Sequence, residues 1–207
     1  MGFPGWIAAI VLFLQLPIPI YWFVVHPFGA FWRRHRAAAF TTGLLASWPP
    51  VTACLILYRH ALFYAGRRPV AAVAIGLLLI ALEIWIFAQA HRDLGTARLV
   101  GKTELSGGGE LAEYGIYARI RHPRYTGSFL AVVGACLLAD TRTAWVAGGA
   151  WTALMLAAIW MEERELRGRF GKGYEEYCRR VPRFIPSMRK RGSVPIAAAA
   201  ETKAPPG

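Results

Sequence analysis

The chain has 207 residues, of which 56% are hydrophobic and 17% charged, and its mean hydropathy is +0.36; those proportions exclude an ordinary soluble globular domain and indicate a protein built for the bilayer. A net charge of +12 would suit nucleic acid, but the basic residues follow the margins of the apolar runs without a recognition-helix or RNA-binding pattern, which points to anionic lipid headgroups instead. Cys54, Cys136 and Cys178 are isolated, with no C-x-x-C pair and no histidine nearby, so they support neither a disulfide framework nor a zinc or other metal site.

In chain order, residues 2–25 form a charge-free run near the roughly 20 residues that cross a hydrocarbon core. It lacks a basic leader, exceeds a signal peptide's apolar region and carries Pro17 and Pro19 near its middle, so it is expected to remain in the mature protein. A second run, 37–58, contains Pro49-Pro50; both proline sites read as kinks packed against neighbouring helices. A third apolar segment, 69–90, is interrupted only by Glu83. The connection 95–117 contains Gly107-Gly108-Gly109 and reads as a loop. Within it Gly101-Lys102-Thr103 is no phosphate loop, because Thr96 stands where the motif needs glycine and a helix precedes it. A short segment, 125–139, ends at the turn-like Asp140-Thr141-Arg142, and the run 143–161 is again charge-free. About five transmembrane helices result.

After Met161 the pattern becomes that of an amphipathic helix, with Leu166, Phe170, Tyr174 and Tyr177 on one face. It would lie against the cytoplasmic ends of the bundle or in the headgroup layer. Gly171 and Gly173 weaken it and Pro182 with Pro186 ends it. The expected fold is an all-α integral membrane protein. Residues 1–90 form its N-terminal transmembrane part, 91–186 the region carrying the chemistry, and 187–207 a disordered tail.

If the helices alternate, the loop with Arg33, Arg34 and Arg36, the loop 91–124 and the chain after Met161 share one side. They hold 20 of the 24 Lys and Arg, leaving Arg59, Arg67, Arg68 and Arg142 opposite. The positive-inside rule places the basic side in the cytoplasm.

Two polar clusters bracket the last pair of apolar segments: Arg121-His122-Pro123-Arg124-Tyr125 and Glu162-Glu163. Pro123 disfavours a helical His122 and suits the first turn of a helix starting near Arg124. That helix start, with Arg121 and His122 at its mouth, suits a carboxylate. Gly127, Ala131, Gly134 and Ala135 give it a small-residue face for a close helix neighbour or a flat ring, helix packing being the simpler reading of these residues alone. Glu162 and Glu163 stand where the last apolar run meets water; alone they would read as a solvated face with Glu163 paired to Arg167. Together with the first cluster they suit a zwitterionic nucleoside such as S-adenosylmethionine, the carboxylates meeting its ammonium.

Tyr117-Ala-Arg-Ile-Arg-His-Pro-Arg-Tyr-Thr-Gly127, Glu162-Glu163-Arg-Glu-Leu166, Phe170-Gly-Lys-Gly-Tyr174-Glu-Glu-Tyr177 and Val181-Pro-Arg-Phe-Ile-Pro186 resemble, in order and spacing, the isoprenylcysteine carboxyl methyltransferase and phospholipid methyltransferase superfamily. The resemblance covers about the last 90 residues. It implies an integral membrane S-adenosylmethionine-dependent methyltransferase acting on a lipophilic or prenylated acceptor that enters from the bilayer. It further implies that Arg121, His122, Pro123, Tyr125 and Gly127 form one side of the cofactor pocket, Glu162 and Glu163 the other, and Tyr174 and Tyr177 a lid. Each tyrosine also reads as an interfacial belt residue. Arg164, Arg167 and Glu163 are the candidates nearest the reaction.

Methyl transfer to a carboxylate or thiolate needs positioning more than proton transfer. An amine would add the need for a base, from Glu162, Glu163 or His122. Two alternatives stand beside this reading. One is a sterol-reductase-like NADPH enzyme, which the R-H-P-x-Y pattern and Cys178 also resemble; however, Arg124, Ser128, Glu162-Glu163 and the Phe170 to Tyr174 stretch depart from that pattern. The other is a non-catalytic membrane scaffold.

Overall fold

Inside a bilayer every backbone N–H and C=O must find its partner within the protein, so apolar runs of this length become helices. A computed structural model of the chain describes residues 2–25, 29–63, 66, 68–99 and 111–186. The tail 187–207 and the triple-glycine loop lie outside them. The described residues form nine α-helices and no strand: α1 (Phe3–Gln15), α2 (Pro17–Val25), α3 (Gly29–Arg34), α4 (Arg36–Leu57), α5 (Arg59–Leu62), α6 (Val70–Leu99), α7 (Pro123–Ala139), α8 (Arg142–Phe170) and α9 (Lys172–Arg180). A 3-10 turn, Gly115–Ala118, precedes α7.

Four spans among these residues are long and apolar enough to cross a membrane: Phe3–Val24, Ala38–Leu57, Val70–Gly95 and Arg142–Phe170. The first comprises α1 and α2, jointed at Leu16 where Pro17 cannot continue the donor ladder. Within α4 the chain passes through Pro49 and Pro50 without breaking. Ser47 donates from its hydroxyl to the Gly43 carbonyl, and Thr52 does so to the Trp48 carbonyl at 2.8 Å, placing side-chain bonds on either side of the prolines.

The short α7 is the centre of the packing, touching α1, α6 and α8. Ala131, Val132, Ala135, Cys136, Leu138 and Ala139 are each 2% exposed or less, so neighbouring helices cover a segment too short to face lipid along a full span. Its small-residue face is used for close helix contact: a Cβ on Gly134 would lie 2.7 Å from the Gly76 carbonyl oxygen of α6, and one on Gly76 would lie 2.9 Å from that of Gly134.

Helix α8 is 29 residues long, about 44 Å at 1.5 Å per residue, against a hydrocarbon core of about 30 Å. Its last turns therefore carry Glu162 and Glu163 beyond the core. The expected separate amphipathic helix is instead divided. The membrane helix runs straight on to Phe170, the chain turns at Gly171 with φ +52°, and α9 follows with Tyr174 and Tyr177 inward. A left-handed φ is cheap for glycine, which is why the turn falls there.

Candidate functional site

The site begins at the end of α6. Asp93 accepts from the Ile116 amide at 2.7 Å, and its carbonyl accepts from the Tyr114 hydroxyl at 2.9 Å. This clasp sets the 3-10 turn and so places Tyr117. Gly115, at φ +58°, lies against the Asp93 carboxylate with no room for a side chain. From α9, the Tyr177 hydroxyl donates to the Tyr117 carbonyl at 2.7 Å.

Next comes the His-Pro turn. His122 is non-helical and caps α7, with Pro123 at its first position, as the restriction preceding proline requires. The His122 carbonyl accepts from the Thr126 amide at 2.9 Å, so the turn is rigidly joined to the helix. His122 is 5% exposed.

Glu163 lies opposite, 1% exposed. His122 Nε2 stands 3.0 Å from its Oε1; a carboxylate only accepts, so this nitrogen donates. Arg121 lies 3.2 Å from the same oxygen. Arg183 makes a two-point fork, Nε to Oε1 at 3.0 Å and Nη2 to Oε2 at 2.5 Å. Arg167, one turn along α8, approaches Oε2 at 3.4 Å. One buried carboxylate thus gathers three arginines and a histidine, and its own oxygens are fully used. Arg121 also reaches Cys178 Sγ at 2.6 Å.

Beside this hub a cleft opens between α2, the end of α6, the His-Pro turn, α8 and α9, enclosing about 890 Å³ out to its open mouth. Of the nine cofactor residues expected from the sequence, Arg121, His122, Pro123, Tyr125, Glu162, Tyr174 and Tyr177 line it. Glu163 stands behind the wall, and Gly127 packs on Glu83 and Ile86 of α6. Arg164 and Arg167 are on the exposed side of α8, Arg164 with its guanidinium 5.7 Å from the Trp160 ring centre. The sequence reading left Trp22, Tyr117, Arg124 and Arg169 without a role although they line the cleft. It also left out Arg183, whose only signal was its place inside the Val181 to Pro186 motif.

The buried polar atoms on the wall without a hydrogen-bond partner include Glu162 Oε2, the Tyr174 hydroxyl and Arg121 Nε. Tyr174 itself is 1% exposed. Burial, and behind it the negative charge of Glu163, pushes the Tyr174 hydroxyl above the usual phenol range. Burial does the same to Tyr117 and Tyr177. All three are therefore neutral at physiological pH and present O–H groups. Buried polar atoms are ordinarily satisfied, so these atoms mark where a ligand's polar groups would complete the wall. Among the described residues, no group of three or more His, Cys, Asp or Glu side chains is placed to hold a metal ion.

A family model described as phospholipid methyltransferase matches residues 71–173, from α6 to the start of α9. The chain is also similar to the nickel-cobalt-cadmium resistance protein NccN of Alcaligenes xylosoxydans xylosoxydans, with 32% identity over 79 residues. That match covers 38% of this chain and 37% of the length of that relative. No solved structure matches.

Proposed function

Since the chain belongs to the phospholipid methyltransferase family, we propose that this multi-pass membrane protein is an S-adenosylmethionine-dependent, isoprenylcysteine carboxyl methyltransferase-like enzyme acting on a lipophilic acceptor. The observation that carries the reading is the pair of partnerless buried atoms, Glu162 Oε2 and the Tyr174 hydroxyl, on one cleft wall with Arg121 and Arg124 on the same cleft.

These residues fit the cofactor's charges. Glu162 would accept from the ammonium, Arg121 and Arg124 would face the carboxylate, and the rings of Tyr117, Phe170 and Trp22 offer flat apolar surface for the nucleoside. When bound, S-adenosylmethionine supplies a methyl group activated by its sulfonium. The chain's own part is to hold donor and acceptor in line and keep water away, and orientation of this kind supplies much of the rate. Arg164 and Arg167, on the exposed side of α8, would meet an acceptor arriving from the bilayer. A carboxylate or thiolate acceptor needs no further base. An amine would draw on Glu162, because Glu163 and His122 are already engaged with each other.

The orientation that suits this chemistry puts the cleft in the cytoplasm, where 20 of the 24 basic residues would lie and from which a soluble cofactor must come. The test is to incubate the purified protein with methyl-labelled S-adenosylmethionine and lipid extract and identify the labelled product. Label in a lipid-soluble product supports the reading. Binding of NADPH without S-adenosylmethionine would favour a sterol-reductase-like enzyme, and no transfer to any extract would favour a scaffold.

A further inference from the structure

We infer that Arg183 is a positioning residue of the cleft: through Glu163 and the backbone around it, Arg183 holds the Arg121-His122-Pro123 turn in the cleft wall. The inference rests on the cofactor reading above and concerns a residue outside the cleft itself.

After α9 the chain does not leave the molecule. Residues 181–186 double back across the His-Pro turn as a strap. The Arg121 amide donates to the Pro182 carbonyl at 2.9 Å, and the His122 amide donates to the Arg183 carbonyl at 3.1 Å. The Thr126 hydroxyl lies 3.3 Å from the Phe184 carbonyl, while the Phe184 ring packs against His122 and Phe129. These contacts give the two residues before Pro123 backbone partners that their own helix cannot supply, since the α7 ladder begins after them.

The strap is short and is joined to α9 at its start by the Val181 amide, which donates to the Tyr177 carbonyl at 2.9 Å. Its strongest tether is the Arg183 fork on Glu163, a two-point, charge-assisted contact whose geometry fixes orientation as well as distance. Glu163 is also the acceptor for His122 Nε2 and for Arg121, the two side chains of the same turn. Arg183 is therefore bonded to the turn twice over, by its carbonyl to the His122 amide and by its guanidinium through Glu163 to the His122 ring. Without the Arg183 side chain, the turn keeps its main-chain bonds to the strap and its side-chain contacts to Glu163, but strap and carboxylate are no longer locked to each other and the turn loses its fixed register. Arg180, on the adjoining turn of α9, provides the contrast. It pairs with Glu113 at 2.5 Å with side chains 52% and 34% exposed, a surface pair away from Glu163 and the His-Pro turn.

The experiment titrates S-adenosylmethionine into the purified full-length protein in detergent, with melting temperature recorded for each variant. Arg183→Ala is expected to bind about 10-fold more weakly or worse. Arg183→Lys keeps the charge without the planar fork and should recover part of that loss, about 3-fold weaker than the unaltered protein. Arg180→Ala should stay within about 2-fold. If Arg183→Ala does not fold, Arg183→Lys decides alone, and binding equal to that of the unaltered protein overturns the inference. So does equal binding by a folded Arg183→Ala, or a loss in either variant that merely follows its melting temperature. If the unaltered protein binds no S-adenosylmethionine, the cofactor reading fails first, a result distinct from all of these.

Discussion

His122 Nε2 and Glu163 Oε1 lie 3.0 Å apart although 41 positions separate them in the chain. That contact joins the start of α7 to the end of α8 and makes a single wall of the two polar clusters. It also divides the twin glutamates. Glu163 points into the protein and is saturated by cations, while Glu162 faces the cleft with an oxygen unpaired.

Glu163→Gln should therefore act on the fold as much as on binding. Removing one member of a buried, hydrogen-bonded charge cluster costs on the order of 3 kcal/mol, and the half-exposed positions of Arg167 and Arg183 place this site toward the lower side of that figure. Unfolding in detergent should shift clearly downward, and S-adenosylmethionine binding should fall with it. A variant as stable as the parent would show that the cluster does not hold the bundle end.

Glu162→Gln should separate the two effects. A charge-assisted hydrogen bond is worth about 1.5–3 kcal/mol, so cofactor affinity should fall about 10- to 100-fold by titration while the melting temperature hardly moves. Unchanged affinity would remove Glu162 from the proposed binding site.

Tyr174→Phe tests the unpaired hydroxyl through pH. The raised phenols of Tyr117, Tyr174 and Tyr177 mean that above about pH 10, the ordinary phenol value, the unfolded chain has released protons that the native state retains. Stability is complete below that pH and declines as pH rises from it toward the folded values. Tyr174→Phe should flatten the decline by up to about 1.4 kcal/mol per pH unit. At pH 7 it should leave stability unchanged or slightly higher, because no partner is lost, and yet weaken cofactor binding. A parent whose unfolding is indifferent between pH 9 and 11 would contradict the burial argument.

Gly134→Ala and Gly149→Ala should differ in sign. At Gly134 the new methyl meets the Gly76 carbonyl, and overpacking of this kind costs about 1–3 kcal/mol. At Gly149 nothing lies within 4 Å, so alanine's better helix propensity should stabilise α8 by up to about 1 kcal/mol. Parallel unfolding curves in detergent would read both, and equal shifts would refute the close α6–α7 crossing.

Run length, charge placement and proline position are local properties, and they were enough to read a helical membrane protein. They also located the start of α7 near Arg124, the joint near Pro17, and the two clusters that meet. Each of those follows from one stretch of backbone and its own sterics or solvation. The division of labour between Glu162 and Glu163 could not be read that way, because adjacent residues on a helix point about 100° apart and only the neighbours of α8 decide which one is covered. Gly127 turned to α6 for the same reason, helix rotation being set by packing across a bundle. Arg183 was invisible because its role depends on a backbone segment folding back over a turn some sixty residues earlier, a relation created when the bundle closes and the buried carboxylate collects its cations.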